Sequence, residues 1–381
     1  MTDREALIAL NQVQGLGSIT VKRMIDRFGS AGAIFEAAEL DLVLVQGISR
    51  DRAHQLHVTL KDVSAANELE RAAKTGVRLV TWVDPEYPVL LKEIADPSLV
   101  LYVAGEPQAL SGPSIAVVGT RHPTIYGREM ARLFGYRLAS AGYVVISGLA
   151  VGIDTEAHTG AVKAKGRTVA VLGGALDCLF PRENAGLARE IVAQGGAVVS
   201  EYPFGRQPDR QTFPMRNRIV SGLSKGVLVV EAPYNSGTLI TVNQALDQGR
   251  VVMAVPGRVD SPVSQGCHRL LREGARLVTA ADEVLEEVED LITGMNRQGA
   301  TLKTRCSEPK EIAGTRPEAS LSKEERCVLA QIDNEEISVD QMVRESGLDA
   351  GKVNALLVGL RIKRMVQLLP GGRVTRARKI D

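Results

Sequence analysis

The sequence is poor in cysteine, has no excess of either charge and contains no long hydrophobic run. Its four cysteines, at positions 178, 267, 306 and 327 of 381 residues, stand far apart and form no CxxC pair. This spacing disfavours a disulfide framework and a zinc ribbon. Because 46 Lys and Arg residues face 45 Asp and Glu residues, for a formal net charge of +1, any polyanion must be bound by a local cluster of charge.

No stretch approaches the ~18 uninterrupted apolar residues of a membrane span. The first residues also lack the basic region and apolar run of a secretory signal. With 44% hydrophobic and 24% charged residues, the chain can bury a core, which excludes wholesale disorder. At ~150 residues per domain, its length predicts more than one domain. We therefore expect a multi-domain cytoplasmic protein that does not enter a membrane.

Residues 1–75 have the pattern of short helices joined by glycine turns. Apolar residues at helical spacing flank the turn at residues 15–17, and a weaker copy of the pattern flanks residues 47–49. Two such units in tandem resemble the helix-hairpin-helix and SAM-like modules of DNA-associated proteins, whose glycines let backbone N–H groups approach a phosphate. A purely structural helical bundle is the alternative, since Ser49 stands where a second glycine is expected.

Residues 76–290 alternate between strand-like and helix-like segments. The strand-like runs are continuous in Val and Ile, which is typical of a mostly parallel sheet wrapped by helices. The sequence therefore predicts an α/β fold with a doubly wound sheet, whose ligands bind at the carboxyl ends of the strands. The predicted strands lie at residues 78–83, 115–119, 144–148, 168–173, 197–201, 227–231 and 251–256. The predicted helices lie at residues 127–141, 154–165, 185–194, 239–248 and 265–273.

The C-terminal residues divide into a linker and a small domain. Residues 291–320 lose periodicity and gather Gly, Pro, Ser, Thr and charge, as linkers do. Residues 321–381 predict three helices, the first opened by a capping box at 322–325, and then a two-stranded wing that turns at 370–372. This is the arrangement of a winged helix. Basic residues crowd positions 351–381, so both nucleic-acid contact and protein binding stay open for this domain.

Glycine-rich turns with hydroxyl and guanidinium groups follow the predicted strands. Glycines there let backbone N–H groups line an anion pocket, and the dipole of the following helix favours negative charge. The predicted turn residues are Thr120, Arg121, Ser147, Gly148, Gly152, Ser236, Gly237 and Thr238. They form neither GxGxxG nor GxxxxGK[ST], which disfavours NAD and ATP. The sequence also lacks HExxH and GxSxG, so we predict no cofactor, no metal and no catalytic residue.

Arginine, asparagine and phenylalanine cluster in two later turns. Arginine offers a planar fork to phosphate, and an aromatic ring stacks a base for roughly 1–3 kcal/mol with little dependence on base identity. Core packing is the simpler interpretation of Phe180 alone, whereas Phe213 lies in a Pro-flanked, Arg-rich segment that we interpret as a binding turn. The predicted binding residues of these turns are Arg182, Arg210, Phe213, Arg216, Asn217 and Arg218.

Together these motifs resemble the bacterial DNA-processing protein A (DprA/Smf) family. The matching motifs keep their order through nearly all of the middle segment: VGTR at 118–121, SGLAVGID at 147–154, AVLGGALD at 170–177, FPRENAGL at 180–187, SEYPFG at 200–205, FPMRNRIVSGLS at 213–224, VVEAPYNSGTLIT at 229–241 and AVPGRVDSPVSQGCHRLLREGA at 254–275. The N-terminal and winged-helix segments fit variants of the same family.

The resemblance implies a Rossmann-like middle domain and a non-enzymatic role. Such a protein binds incoming single-stranded DNA during natural transformation, shields it and loads the RecA recombinase. The resemblance also implies a homodimer formed through the Rossmann-like domain. Carried over by position, the residues implied to line the DNA groove are Arg121, Arg182, Phe213, Arg216, Asn217 and Arg218, with Gly148, Gly152, Ser236, Gly237 and Thr238 as backbone contributors.

Two other functions stay open. A nucleotide-processing enzyme is one, because residues 236–238 are similar to a loop of the cytokinin-activating phosphoribohydrolases. In those enzymes a catalytic glutamate follows three residues after the threonine, and here that position is Thr241. The other is a transcription regulator that reads duplex DNA through the winged helix.

Overall fold

A computed structural model gives the conformation of residues 1–295 and of shorter stretches beyond them. The later stretches are residues 328–329, 332, 337–346, 348–349, 352–353, 356–357, 360, 366–369 and 373–376. The chain divides into two compact units, residues 1–300 and residues 301–381, and each is treated by itself. The domain boundaries proposed at residues 75 and 290 stay predictions, and most of the proposed linker lies outside the described residues.

The first unit begins with two helix–turn–helix pairs and a fifth helix. Gly15 and Gly47 have φ angles of +72° and +93° in the two turns, a conformation that glycine adopts without steric cost. Arg23 and Arg52 each donate to the carbonyl oxygen that precedes the glycine of the other turn, at 3.0 and 2.7 Å. The helices expected on both sides of each turn are present. They are α1 (Asp3–Asn11), α2 (Ser18–Phe28), α3 (Glu39–Val43), α4 (Arg50–Asp62) and α5 (Ala66–Thr75).

Strands and helices alternate through the rest of this unit. The strands are β1 (Arg78–Thr81), β2 (Val100–Gly105), β3 (Ser114–Val118), β4 (Val144–Ser147), β5 (Thr168–Val171), β6 (Ala197–Ser200), β7 (Gly226–Val229), β8 (Val251–Ala254) and β9 (Arg276–Leu277). The helices are α6 (Val89–Lys92), α7 (Ile125–Ser140), α8 (Ile153–Lys163), α9 (Ala185–Ala193), α10 (Thr212–Gly222), α11 (Thr238–Asp247), α12 (Gln265–Arg272) and α13 (Ala281–Met295). Every strand expected from an apolar run is present, and β2, β9, α6, α10 and α13 are additional.

The strands form one sheet in the order β1-β2-β6-β5-β4-β3-β7-β8-β9. The two contacts of β2, with β1 and with β6, are antiparallel, and the other strand contacts of this sheet are parallel. At the centre, Ala116 of β3 is in register with Ile146 on one side and Val227 on the other. The mostly parallel, doubly wound Rossmann-like sheet is therefore confirmed.

Both faces of the sheet are buried. On one face, Leu7 and Met24 of the N-terminal helices belong to the same hydrophobic cluster as Leu101 of the sheet. On the other face, Val117 packs in a cluster with Phe134 from α7. The N-terminal helices thus complete one face of the sheet, which explains why its strands are continuously apolar.

The second unit contains β10 (Ile337–Ser338), α14 (Val339–Ser346), β11 (Val366–Leu369) and β12 (Arg373–Arg376). The strands form an antiparallel sheet in the order β10-β12-β11, so the predicted wing is present. Val353, Leu357 and Leu360 are buried in a cluster with Met342 and Val374, as predicted for the third helix. The predicted capping box and the turn of the wing lie outside the described residues.

Among the described helices, none combines the length and apolar character needed to cross a bilayer.

Candidate functional site

A cleft of about 500 Å³ opens at the carboxyl ends of β3, β4 and β7. From β3 the chain winds to β4, β5 and β6 on one side, and it then continues with β7 and β8 on the other side of β3. The turns that leave β3 and β7 therefore lead in opposite directions, and ligands of open α/β sheets bind in the crevice that such a reversal creates. The volume of the cleft falls within the range of ~300–1,000 Å³ that is usual for ligand pockets.

The turn after β3 forms the first wall and carries Arg121. The N–H of Thr120 donates to the Glu231 carbonyl at 2.8 Å. The Glu231 carboxylate, which is buried, accepts from the N–H and the hydroxyl of Thr124 at 2.9 and 2.6 Å. These bonds fix the start of α7 against the residues after β7, because each buried polar atom finds its partner there. Arg121 projects from this fixed turn and is exposed.

Helix α10 forms the second wall, which corrects the predicted turn over residues 213–218. Those residues lie in the first turns of the helix. Pro214 is compatible with that position because the first N–H groups of a helix have no partner within it. Asp209 accepts hydrogen bonds from the N–H groups of Gln211 and Thr212 at 2.8 and 2.9 Å, so the helix start is also held by a carboxylate.

Phe213 lies between a cation and a second ring at the cleft. The Arg121 guanidinium is 5.2 Å from the centre of the Phe213 ring, and the Phe180 ring is 6.0 Å away on centroids. Phe180 is 52% exposed, so core packing is wrong for this residue. A Cβ on Gly173 would lie 2.8 Å from the Phe213 ring, and the glycine therefore makes room for the ring. The result is a partly open aromatic surface beside an exposed cation.

Arg216 lies in the floor of the cleft and not at its mouth. It is 4% exposed, and its guanidinium donates to the carbonyl oxygens of Gly148, at 2.6 Å, and Val171. Burial lowers the pKa of the Arg216 guanidinium to about 10, against the opposing effect of Asp154, so the group stays charged at neutral pH. It therefore holds the ends of β4 and β5 together.

Asp154 shapes the turn between β4 and α8. Its carboxylate accepts from the N–H groups of Gly148 and Ala150 at 3.1 and 3.4 Å. Burial raises the pKa of Asp154, and Arg216 partly opposes this rise. In the same turn Gly152 has a φ of +92°, and a Cβ there would lie 2.5 Å from the Thr120 carbonyl oxygen. The buried charges and the glycine thus fix the floor against the first wall.

The turn before α11 forms the third wall. The Ser236 hydroxyl accepts from the N–H of Thr238 at 3.1 Å and lies 3.0 Å from the Thr238 hydroxyl. Gly237 is exposed between them. Because the first N–H groups of a helix have no partner within it and its dipole is positive at this end, an anion is favoured here.

The cleft brings together most of the residues predicted from the sequence. Arg121 and Arg210 are exposed, and neither makes an ion pair among the described residues, so the mouth of the cleft is positively charged. The predicted residues that line it are Thr120, Arg121, Gly148, Arg210, Phe213, Arg216, Asn217, Ser236, Gly237 and Thr238.

Other predicted site residues do not line the cleft. Ser147 is buried, and its hydroxyl donates to the Val117 carbonyl at 2.7 Å, so it braces two strands. Gly152 lies against the Thr120 carbonyl. Arg182 is exposed on the segment that follows Phe180. The DNA contacts of these residues stay predictions.

Arg218 lies on the opposite side of α10 from the cleft. Its guanidinium is bound by Glu201 at 2.6 Å and by Asp96 at 2.7 Å, and only 7% of its side chain is exposed. These ion pairs hold α10 to the chain that follows β6. A second cavity, of about 960 Å³, is lined by Arg218 and by residues 14–17 of the turn between α1 and α2. The structure thus gives Arg218 a role in packing, and its DNA contact stays a prediction.

The structure adds residues that the sequence analysis did not single out. His122, Pro233, Asn235 and Ile240 line the cleft, and Glu231 positions its first wall. Glu231 ends an apolar run, which identifies a strand end but not a buried carboxylate. Within the described ranges, His, Cys, Asp and Glu side chains form no group of three that would hold a metal ion.

Comparison with known families gives two matches along the chain. The model of DNA recombination-mediator protein A matches residues 78–289, and the model of the DprA winged helix domain matches residues 313–372. Protein Smf of Synechocystis sp. is 33% identical over 391 residues, which cover 97% of this chain and 98% of that protein.

Two solved structures are similar to the chain. The X-ray structure of DNA processing protein A from Streptococcus pneumoniae superposes with a TM-score of 0.64 at 32% identity, covering 75% of this chain and 98% of that one. The protein of the same name from Helicobacter pylori gives a TM-score of 0.51 at 28% identity, covering 58% and 98%. The latter structure concerns a single-stranded DNA binding mode of the Helicobacter protein.

Proposed function

The chain belongs to the DNA recombination-mediator protein A family, also called DprA or Smf, and from this premise we propose that it binds single-stranded DNA in the cleft without breaking a bond. The observation that carries the proposal is the convergence of the exposed Arg121 and Arg210, the Phe213 ring and the turn at residues 236–238 in one cleft. Cations along a groove and rings that stack bases are the usual means of sequence-tolerant single-strand binding.

We propose that single-stranded DNA is also the ligand that defines the protein's role in the cell. Strand binding that does not depend on base sequence suits the protection of incoming DNA and its transfer to the RecA recombinase in natural transformation and recombination, in the cytoplasm. The description of the matched family as a recombination mediator supports this role. The transfer step is tested by measuring the ATPase activity of RecA on DNA covered by single-strand-binding protein. We expect the addition of this chain to accelerate activation of the ATPase, and no acceleration would argue against transfer.

We also propose a homodimer formed through the Rossmann-like domain. A dimer places two clefts on one particle, so that one strand can engage both with increased avidity. Light scattering during size exclusion would then give twice the chain mass of 40.9 kDa. A mass that stays at the single-chain value at all concentrations would contradict the dimer.

The cleft assignment is tested by reversing one charge at its mouth. We expect Arg121→Glu to bind an oligothymidylate at least tenfold more weakly, because the change removes a phosphate contact and repels the backbone. The affinity of the unaltered protein should fall with salt with a log–log slope of ~0.7 per phosphate neutralised. The thermal unfolding midpoint should move little, because Arg121 is exposed, makes no ion pair among the described residues and loses only its contact with the Phe213 ring.

Arg137→Glu is the matched control, because Arg137 is also exposed but lies in the last turn of α7, away from the cleft lining. Equal binding by both variants would contradict the cleft assignment. Release of free base from nucleoside monophosphates would favour the phosphoribohydrolase alternative. Tighter binding of one duplex sequence than of single strands, at equal salt, would favour a regulator.

A further inference from the structure

A second large aromatic side chain is exposed beside the cleft, at Tyr234. It lies between Pro233 and Asn235, which both line the cleft. The residue is 53% exposed, whereas an aromatic side chain of this size contributes most to stability when it is buried. Tyr234 lies in the segment that joins the end of β7 to the start of α11.

One face of the Tyr234 ring is covered by a cation. The Arg269 guanidinium lies 5.4 Å from the ring centre, and Glu273 holds Arg269 at 2.7 Å. The helix that carries Arg269 is itself fixed to the same turn, because the N–H of Gly266 donates to the Ala232 carbonyl at 2.8 Å. The ring is therefore held by its neighbours, while 53% of the residue stays exposed.

This arrangement is similar to the arginine–aromatic contact at Phe213. Arg121 lies 5.2 Å over Phe213, much as Arg269 lies 5.4 Å over Tyr234. Another such contact in the described part of the chain involves Phe204, whose ring is only 9% exposed, so it offers no open face. Of these two pairs, Arg121 and Phe213 line the cleft, and Tyr234 lies between two residues that line it.

The turn at residues 236–238 begins two residues after Tyr234, and it favours an anion at the start of α11. A base on Tyr234 would therefore have a phosphate site two residues away along the chain. A base site beside a phosphate site suits a polynucleotide, because each nucleotide presents both groups. The same combination is present at Phe213 with the exposed Arg121 and Arg210.

We propose that Tyr234 is a second base-stacking platform, so that an unpaired strand crosses the whole cleft with one base near Phe213 and another on Tyr234. This inference rests on the proposed function, and it adds a requirement for length. A strand too short to reach both rings gains only one stacking contact. A longer strand gains the second, since stacking contributes separately for each base.

The test compares full-length variants by fluorescence anisotropy with labelled oligothymidylates of increasing length. We expect Tyr234→Ala to bind the longer strands about tenfold more weakly, the effect of losing one stacked base, and to bind the shortest strands normally. Tyr234→Phe should bind every length like the unaltered protein, because stacking needs the ring and not the hydroxyl. Tyr136→Ala is the control, because Tyr136 is 43% exposed on α7 and does not line the cleft.

A strand with one abasic position, moved step by step along it, locates the contact. At one abasic position the unaltered protein should bind more weakly than it binds the intact strand. At that same position Tyr234→Ala should bind the abasic and the intact strand equally. Normal binding by Tyr234→Ala, an equal loss at all lengths, or an equal loss in Tyr234→Phe would each overturn the inference. Failure of the proposed function would differ, since the unaltered protein would then bind no oligothymidylate of any length.

Discussion

His158 illustrates how burial sets the ionisation of one residue in this fold. Its side chain is fully buried, and Nδ1 lies 2.7 Å from the Thr168 hydroxyl oxygen, while that hydroxyl donates to the Val145 carbonyl at 2.6 Å. Because the hydroxyl proton is used there, Nδ1 carries the imidazole proton, and Nε2 has no partner among the described residues. Burial, with a smaller effect from Arg216, lowers the pKa of His158 to about 3.

This shift predicts a loss of stability in acid. Below the ordinary pKa of 6.5, the unfolded chain binds a proton at His158 that the folded protein excludes. The free energy of unfolding should therefore fall as the pH is lowered from 6.5 towards 3, by roughly 1.4 kcal/mol per pH unit from this residue. Urea unfolding over a pH series measures the slope. His158→Asn should lack this part of it, and parallel pH profiles for the two proteins would contradict the assignment.

At the residue scale, the sequence predicts most of the side chains that line the cleft but not which of them are accessible. Arg121 and Phe213 were predicted at the site and lie in the cleft. Arg216 and Arg218 could not be told apart, because the segment was interpreted as a turn. In a helix, residues two apart point about 200° away from each other, so Arg216 faces the cleft floor while Arg218 faces Glu201. Only the helical conformation of α10 shows that the two arginines point in different directions.

At the scale of elements, α7 and α8 contact each other backbone to backbone. A Cβ on Gly135 would lie 2.2 Å from the Ala157 carbonyl oxygen, and a Cβ on Gly160 would lie 2.2 Å from the Arg132 carbonyl oxygen. These two glycines therefore set the separation of the helices. Both helices start at turns that form the cleft, so their packing also holds the first wall and the floor.

We expect Gly135→Ala and Gly160→Ala each to lower the free energy of unfolding by about 1–3 kcal/mol, because backbone atoms must move apart to admit the methyl group. This outweighs the ~0.5–1 kcal/mol that alanine normally gains over glycine in a helix. Gly186→Ala in α9 is the control, since nothing lies within 4 Å of its Cβ position, and it should be stabilising. Urea unfolding measures all three, and a uniform response would show that the close approach does not matter.

The elements themselves were largely predictable, whereas their pairing was not. Buried Val and Ile runs identified β1 and β3–β8 because strands covered on both faces have little else in them. The apolar run of β2 does not predict a strand, since a short buried run between turns does not by itself distinguish strand from helix. Its position between β1 and β6 depends on contacts such as Val103 with Val199, which are far apart in sequence. β9 has only two residues, both exposed, and so left no pattern.

At the scale of the whole molecule, the proposed strand-binding residues all belong to the first unit. The cleft and both exposed arginine–aromatic pairs lie within residues 1–300. The N-terminal helices belong to the same unit through a shared core, in which Leu7 and Met24 are fully buried with Leu101. Removing residues 1–75 would expose that face of the sheet, whereas removing residues 301–381 leaves the core of the first unit complete.

We therefore expect a chain that ends after residue 300 to keep the cooperative unfolding of the first unit, the oligothymidylate affinity and the salt slope of the full chain. A chain that begins at residue 76 should instead aggregate or unfold at a much lower urea concentration, because burial of each large apolar side chain contributes about 1.5–3 kcal/mol. Urea unfolding and anisotropy on both truncated chains check this. A marked loss of affinity without residues 301–381 would contradict the expectation and favour nucleic-acid contact by the winged helix. A stable, strand-binding chain from residue 76 onward would show that the N-terminal helices are dispensable to the sheet.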